Sequence, residues 1–291
     1  MKANKRIRTF LMVIFIIVIF FSAFVLINNY CISTTKAVFN TQQNNQKIRI
    51  VLISDLHGKY FGKDNINLCR AIKGQKPDII AIAGDVVSNN GDYQAAVSLI
   101  NGLNDFCDNI YFTNGNHENR FDAKQIERVI ESQGATALNN KSITYTKNDT
   151  TLCIYGIDLP LFYYSGYKDD KLIYDLTNED IESLIGKSSD ENINVLIAHN
   201  PCYFESYSNW GADIVLSGHN HGGAIRIPFY GGIFTPNGDI KNKHYDCGEY
   251  NYGDSTMYLS RGLGEWIGPV RVFNLPEIYV IDIDADTEKE N

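Results

Sequence analysis

The sequence contains no Cys-x-x-Cys pair, and its six cysteines stand as isolated residues along the chain. Closely spaced cysteine pairs are the usual signature of a structural zinc site, so a site of that class is not supported. The spacing also indicates no disulfide pairing, and isolated thiols are more often buried core residues. The six are Cys31, Cys69, Cys107, Cys153, Cys202 and Cys247.

Basic residues are in deficit, with 26 Lys and Arg against 34 Asp and Glu, for a net charge of −8. Non-specific binding of nucleic acid needs a basic face that neutralises phosphates, so a nucleic-acid partner and a nuclease activity are disfavoured. A small phosphorylated substrate is not excluded, because a bound metal ion can attract an anion that the average surface repels. No internal repeat is visible in the 291 residues, which favours one large α/β domain.

The long apolar run of the sequence lies near the N-terminus, from Phe10 to Ile27, with Ser22 as its polar interruption. As a helix this run would be about 27 Å long, close to the roughly 30 Å of a bilayer's hydrocarbon core. No Ala-x-Ala site follows the run, which favours an uncleaved anchor over a cleaved signal peptide. The run also lacks the polar face of a helix that packs on a soluble core. We therefore expect a transmembrane helix over residues 10–27.

Four basic residues precede this run, at Lys2, Lys5, Arg6 and Arg8. By the positive-inside rule, residues 1–9 would be cytoplasmic, and the main domain of a single-pass cell-membrane protein would lie outside the cytoplasm. Residues 28–46 are polar and rich in amides, which predicts an aperiodic linker. The main domain would then span residues 47–284, followed by a charged, frayed tail at 285–291.

Apolar strand-like runs alternate with helical stretches in the first half of this domain. Continuous apolar strands in a βαβαβ order predict a largely parallel sheet that is covered on both faces. The strands are expected at 48–53, 79–83 and 110–112, and the helices at 65–73, 93–103 and 122–133, the last capped by Asp122. Beyond residue 140 the chain is more β-rich, with strands expected at 152–157, 195–198, 214–217, 257–260 and 278–283. The tyrosine-rich stretch 161–175 reads as an insertion near the site.

Five polar elements each follow one of these strand-like runs, at the carboxyl ends where open α/β sheets place their sites. In extended backbone, residues two apart point to one side, so Asp55 with His57, and His219 with His221, would each converge. Together the elements supply seven carboxylate, amide and imidazole side chains, enough to hold two adjacent divalent metal ions. Donors of these types suit Mn, Fe or Zn better than Ca. His244 matches no element and is expected in a surface loop. The five elements are Asp55-Leu56-His57, Gly84-Asp85, Gly115-Asn116-His117-Glu118, Ala198-His199 and Gly218-His219-Asn220-His221-Gly222-Gly223.

This ordered series resembles the calcineurin-like metallophosphoesterase family, over residues 47–283. The resemblance implies an α/β fold, a two-sheet sandwich flanked by helices, placed here after an N-terminal transmembrane helix. It implies that Asp85 bridges two metal ions and that His117 is the catalytic histidine, which is not a ligand. The implied ligands are Asp55, His57, Asp85 and His221 for one ion, and Asp85, Asn116, His199 and His219 for the other.

A finer likeness is to the membrane-associated bacterial branch that resembles UDP-2,3-diacylglucosamine hydrolases. It is carried by residues 54–57, 199–201 and 260–264, and by the double glycine after His221. Asn220 and Ala224 depart from that branch, which often has Thr and Gln there, so the likeness does not extend to the specificity pocket.

The sequence thus predicts a membrane-anchored, metal-dependent phosphoric ester hydrolase. Its substrate would be a phosphorylated small molecule or a lipid-linked one, such as UDP-2,3-diacylglucosamine, and no protein partner is indicated. Arg120 and Arg261 are weak candidates for phosphate contacts, with structural ion pairing as the alternative for each. Two other functions stay open: a non-catalytic metal-binding scaffold, and an extracytoplasmic phosphatase or phosphodiesterase of wall polymers. The predicted topology favours an exported substrate, whereas the lipid-nucleotide likeness favours one made at the cytoplasmic face.

Overall fold

The computed structural model describes residues 2–41, 47–169, 171–223, 225–233, 235–236, 245–265 and 271–285. The predictions for Ala224, His244 and the tail beyond residue 285 lie outside these residues.

Two six-stranded sheets pack face to face to form the centre of the domain. The strands of the first sheet are β1 (Ser33–Thr41), β2 (Ile48–Ile53), β3 (Ile79–Ala83), β4 (Ile110–Thr113), β5 (Thr136–Ala137) and β16 (Glu277–Ala285), in the order β1-β16-β2-β3-β4-β5. Strands β2 to β5 run parallel, as the βαβαβ pattern predicts, while β16 runs antiparallel to β2.

The second sheet is also mostly parallel in its centre. Its strands are β6 (Lys141–Lys147), β7 (Thr150–Ile157), β10 (Ile193–Ala198), β11 (Ile214–Ser217), β14 (Gly248–Tyr252) and β15 (Ser255–Leu259), in the order β14-β15-β11-β10-β7-β6. Two short ribbons lie outside both sheets: β8 (Tyr167–Lys168) with β9 (Lys171–Leu172), and β12 (Arg226–Ile227) with β13 (Gly231–Gly232).

Helices cover the outer face of each sheet, so the two-sheet sandwich flanked by helices is confirmed. Alternate residues of β2 divide between two cores: Ile50 and Leu52 face the second sheet, whereas Val51 and Ile53 face the helices. Burial on both sides explains why these strands are continuously apolar. The first sheet carries α2 (Ile66–Lys73), α3 (Gln94–Asn104) and α4 (Ala123–Ser132), and the second carries α5 (Asn178–Ile185) and α6 (Phe204–Trp210).

The sequence predictions did not include α5 and α6. Both helices are short, at 8 and 7 residues, so the period of their apolar residues is hard to see. A local signal for α5 was present: the Thr177 side chain accepts from the Asp180 backbone N–H, and the Asp180 carboxylate accepts in return from Thr177, which makes a capping box. Asp122 caps α4 by accepting from the Gln125 backbone N–H, as predicted.

The apolar N-terminal run lies in a long helix, α1 (Lys2–Tyr30). By length and composition, its segment Arg8–Tyr30 could cross a membrane, and none of its apolar window is buried against the domain.

The segment after α1 corrects the prediction of an aperiodic linker over 28–46. Residues 33–41 form strand β1, which pairs in parallel with β16 from Ser33–Glu277 to Thr41–Ala285. The pairing partner lies more than 240 residues away, so a local reading of this polar segment could not reveal the edge strand. Only Cys31 and Ile32 separate α1 from β1, so the helix enters the domain without a flexible spacer.

Candidate metal centre and active site

All the predicted metal ligands lie at one edge of the sandwich. Each follows the carboxyl end of a strand: β2, β3 and β4 of the first sheet, and β10 and β11 of the second. The polar residues that follow the parallel strands of the two sheets therefore meet at one edge, as expected for an α/β fold. These side chains are buried or nearly so: Asp55, His57, Asp85, Asn116, His199, His219 and His221.

Asp55, His57 and His221 form the first group of possible ligands, with donor atoms all within 4.8 Å of one another. His221 Nε2 lies 3.4 Å from Asp55 Oδ1. His57 Nε2 lies 3.1 Å from His221 Nε2 and 3.8 Å from Asp85 Oδ2. The first group therefore borders Asp85.

Asp85, His199 and His219 form the second group, again with donor atoms within 4.8 Å of one another. His199 Nε2 lies 3.1 Å from Asp85 Oδ2. The other ring nitrogen, Nδ1, lies 2.6 Å from the Ala83 carbonyl oxygen, an arrangement that orients the ring and turns Nε2 toward the carboxylates. Asp85 Oδ2 thus lies between His57 of the first group and His199 of the second.

Two properties of these residues suit divalent metal ions: the types of donor atom, and one buried acceptor that has no hydrogen-bond partner among the described residues. Asn116 Oδ1 is buried and accepts no hydrogen bond from the residues that the structure describes. Leaving such an acceptor unpaired costs on the order of 1–3 kcal/mol, which a metal ligand bond would offset. Burial raises the pKa of Asp55 to about 6; the nearby His199 opposes this shift, and the charge of Asp85 adds to it. Nearby cations would relieve this repulsion between two buried carboxylates.

The ligands do not converge through extended backbone, as the sequence analysis expected. Five of them have left-handed backbone, with φ of 53° at Asp55, 49° at His57, 54° at Asp85, 72° at His219 and 52° at His221. This conformation costs roughly 1–2 kcal/mol for each residue with a Cβ. Sharp turns, rather than the alternation of a strand, therefore bring these side chains together, and such strain is typical of functional sites.

Glu118 is a site residue to which the sequence analysis assigned no role, although it ends the Gly-Asn-His-Glu element. Its carboxylate is fully buried and accepts four backbone N–H bonds: from Asp85 at 2.9 Å, Val86 at 2.8 Å, Val87 at 3.1 Å and Gly115 at 2.7 Å. It thereby ties the turn after β3 to the turn after β4. Burial and the charge of Asp85 raise the pKa of Glu118 to about 7.

We expect Glu118→Gln to destabilise the protein by about 2–3 kcal/mol, because an amide nitrogen would face two N–H donors in place of a charged acceptor. The loss would be measured as a lower midpoint of urea denaturation. Glu127→Gln is the matched control, since Glu127 forms an ion pair with Lys141 at the surface and its replacement should change stability by less than about 1 kcal/mol. Equal midpoints for the two variants would contradict a bridging role for Glu118.

A cavity of about 170 Å³ opens beside the ligands and is lined by residues that include Asn116, His117, Arg120 and Tyr164. His117 donates its backbone N–H to Asp85 Oδ1 at 2.8 Å, and its Nε2 lies 4.0 Å from Asp85 Oδ2. Arg120 Nη1 lies 3.3 Å from the same His117 nitrogen. Burial lowers the pKa of His117, which favours its neutral form.

Tyr164 belongs to the tyrosine-rich stretch 161–175, which does lie near the site. Its ring centroid is 5.2 Å from that of His219, with the rings edge to face. The position of the stretch near the site was predicted, but the role of this tyrosine was not, because the stretch has no periodicity from which one side chain could be singled out.

The two candidate arginines differ in their surroundings. Arg120 lines the cavity, whereas Arg261 pairs with Glu277, from Nη2 to Oε1 at 2.7 Å and from Nε to Oε1 at 3.0 Å. Arg261 Nη2 also donates to Ser33 Oγ at 3.1 Å. The structure therefore shows the ion pair that was the alternative for Arg261, and we expect this residue to serve stability rather than phosphate binding.

Arg261→Met should accordingly lower the free energy of unfolding by about 3 kcal/mol, since it leaves the buried Glu277 carboxylate without its charged partner. KM for a small phosphate ester should stay unchanged. Steady-state kinetics together with urea denaturation would check both parts, and a raised KM with normal stability would reverse the assignment.

Comparison with known proteins agrees with this geometry. The family model described as calcineurin-like phosphoesterase matches residues 48–223. An uncharacterised metallophosphoesterase of Bacillus subtilis, YkuE, is 30% identical over 247 residues, which are 81% of this chain and 79% of that protein. The phosphodiesterase YaeI of Escherichia coli is 25% identical over 251 residues, which are 83% of this chain and 84% of that protein. The chain therefore belongs to the calcineurin-like phosphoesterases, a family of metal-dependent phosphoric ester hydrolases.

Proposed function

We propose that this chain is a membrane-anchored phosphoesterase that uses two divalent metal ions to hydrolyse a phosphate ester or pyrophosphate bond in a lipid-linked substrate. The position of Asp85 is the main support for metal-dependent chemistry. Its Oδ2 lies 3.8 Å from His57 Nε2 and 3.1 Å from His199 Nε2. One carboxylate is thereby shared by two groups of donors at the wall of the cavity.

The proposed ligand sets are those that the family resemblance implies. Asp55, His57, Asp85 and His221 would hold one ion, and Asp85, Asn116, His199 and His219 the other. The donors favour Mn, Fe or Zn. When bound, such ions supply Lewis acidity toward the phosphoryl oxygens and make hydroxide available near neutral pH.

His117 is the proposed catalytic residue that is not a ligand. His117 belongs to the wall of the cavity, where its imidazole would give a proton to the leaving oxygen of the ester. The arrival of a phosphate anion raises the pKa of a nearby imidazole, so substrate binding itself would favour the protonated form. Arg120 would hold a phosphate oxygen beside His117. The Tyr164 hydroxyl, from the tyrosine-rich stretch 161–175, would be a second hydrogen-bond donor.

The size of the cavity limits what can enter it. A cavity of about 170 Å³ is small beside a lipid or a nucleotide, so a larger substrate would extend beyond it. This arrangement is compatible with phosphomonoesters, phosphodiesters and pyrophosphates that differ mainly beyond the phosphoryl group.

Membrane anchoring by α1 supports a substrate that is itself held at the membrane. The basic residues before α1 favour a catalytic domain outside the cytoplasm, so the proposed lipid-linked substrate is an exported one rather than a nucleotide-linked lipid. The paired strand β1 moves the proposed start of the catalytic domain from residue 47 to Ser33. A polymer of the cell wall remains the alternative substrate for the same site and topology.

The test is hydrolysis of bis-p-nitrophenyl phosphate and p-nitrophenyl phosphate by the full chain in nanodiscs, with Mn²⁺ and after chelation. Turnover that requires Mn²⁺ supports the enzyme and shows which ester class it prefers. Tight Mn²⁺ binding without turnover of either ester, or of a phospholipid monoester in the same nanodiscs, would favour the non-catalytic scaffold instead.

A further inference from the structure

An exposed apolar surface lies on the β12–β13 ribbon and the loop before β16. Phe229 is fully exposed at the turn of the ribbon, and Ile227, Tyr230 and Phe273 are 46%, 53% and 57% exposed. The stretch from Ile227 to Gly232 carries no charged residue. We call the four side chains the apolar tip. Clustered exposed apolar side chains are typical of surfaces that bind another molecule or a membrane.

The apolar tip is continuous with the apolar surface of α1. The Phe273 ring packs edge to face on Phe24, with ring centroids 5.2 Å apart. Phe24 belongs to the last turn of the run that ends at Ile27, so it lies about 4.5 Å along the helix from the end of that run. If α1 crosses a bilayer, Phe273 is at the depth where its hydrocarbon core meets the headgroups.

The angle between α1 and the domain is held by contacts at the last turn of the helix. Asn28 and Asn29 are buried, and their Oδ1 atoms accept from the backbone N–H groups of Asn274 and Arg271, each at 3.3 Å. Lys59 Nζ donates to the Asn29 carbonyl oxygen at 2.5 Å. The domain therefore cannot turn the apolar tip away from the membrane without breaking these bonds.

The same contacts reach the metal ligands. Asn274 donates through Nδ2 to the His221 carbonyl oxygen at 2.7 Å. Arg226, at the base of the ribbon, donates through Nη1 to the Gly222 carbonyl oxygen, also at 2.7 Å. The segment that carries His221 is thus attached both to the end of α1 and to the ribbon.

Local backbone requirements do not explain the aromatic residues of the apolar tip. Phe229 and Phe273 have left-handed backbone, with φ of 66° and 50°. Glycine or asparagine would adopt this conformation at lower cost, and for other residues the cost is roughly 1–2 kcal/mol. Since neither backbone preference nor burial within the domain explains these two phenylalanines, we attribute them to contact with an apolar partner.

We propose that the apolar tip inserts into the interface of the bilayer that α1 spans, so that the active site lies at the membrane surface and takes phosphoesters from lipid headgroups. The occupant of this surface is the boundary between headgroups and acyl chains, where aromatic side chains are favoured. The inference rests on the proposed anchoring by α1 and deepens it, because it adds a second membrane contact beside the ligand segment.

The test uses the full chain in two sets of nanodiscs, whose phosphatidylcholine is brominated either near the headgroup end of its acyl chains or near their middle. Emission of the Phe229→Trp variant, after subtraction of the unsubstituted chain, should shift to the blue and be quenched by the brominated lipid. Hydrolysis of bis-p-nitrophenyl phosphate by the same variant should equal that of the unsubstituted chain, which shows that it is folded.

Two further variants separate this inference from the anchoring on which it rests. Phe20→Trp places the reporter inside the apolar run of α1. Tyr252→Trp is the matched exposed control, since Tyr252 pairs with Ser255 at the start of β15 and so lies at the end of the second sheet opposite the ligands. Quenching of Phe20→Trp and Phe229→Trp but not Tyr252→Trp supports the inference. Quenching of Phe20→Trp alone overturns it and leaves the anchor intact, whereas no quenching of any variant overturns the anchor as well.

Discussion

Replacing Asp85 by alanine is expected to lower kcat/KM for a soluble phosphodiester by at least about 10³-fold, or about 4 kcal/mol. Asp85 lies between the two groups of donors, so its loss removes a proposed ligand from both. It also removes the acceptor of the His117 backbone N–H. The variant should therefore lose its second metal ion as well as its alignment of His117.

Isothermal titration with Mn²⁺ and steady-state kinetics would measure the two effects separately. The unsubstituted chain should bind two ions, and Asp85→Ala one at most. Asp122→Ala is a suitable control, because this carboxylate is exposed and caps α4 by accepting from the Gln125 backbone N–H, and its loss should cost about 1 kcal/mol of stability. Full activity of Asp85→Ala with two bound ions would contradict the proposed centre.

Replacing His117 by alanine is expected to lower kcat by about 10²–10⁴-fold while both metal ions stay bound. The reason is that His117 lines the cavity but belongs to neither ligand set that the family resemblance implies, although its donor atom lies within 4.8 Å of those of His57 and Asp85. His57→Ala is the contrasting variant, because it removes a proposed ligand and should weaken Mn²⁺ binding itself.

Substrates with different leaving groups can distinguish proton donation by His117 from binding of a phosphate oxygen. An ester with a good leaving group needs little proton donation, so His117→Ala should lose less activity on p-nitrophenyl esters than on alkyl esters. Equal losses on both kinds of ester would indicate that His117 acts by holding a phosphate oxygen. Unchanged kcat on both would remove His117 from the proposed chemistry.

The predictions from sequence were strongest where one short segment contains its own signal. The βαβαβ order, the cap at Asp122 and the apolar run of α1 each depend on neighbouring residues, and the structure has the expected elements there. The predictions were weakest where a partner lies far along the chain. Strand β1 was taken for a linker because its stability comes from pairing with β16, and α5 and α6 are too short for their apolar spacing to show.

The candidate site shows the same division. The order of Asp, Asn and His elements after apolar strands was enough to predict which side chains gather, since parallel strands end at a common edge. The reason given for their approach was wrong in detail, because left-handed turns rather than extended backbone aim five of the ligands. The role of Glu118 as the acceptor of four backbone N–H groups depends on two turns meeting in space, and no spacing of residues could reveal it.

By itself the sequence determined the chemistry of this protein: the donor types, the strands that present them and an apolar helix suited to a membrane. These properties follow from residue type and short-range order. Only the tertiary structure decided that Arg261 pairs with Glu277, that β1 joins α1 directly to the sheet, and that Phe273 meets Phe24 beside the ligand segment. Each of these contacts joins residues far apart in the chain, and such contacts form only when the two sheets and their helices pack.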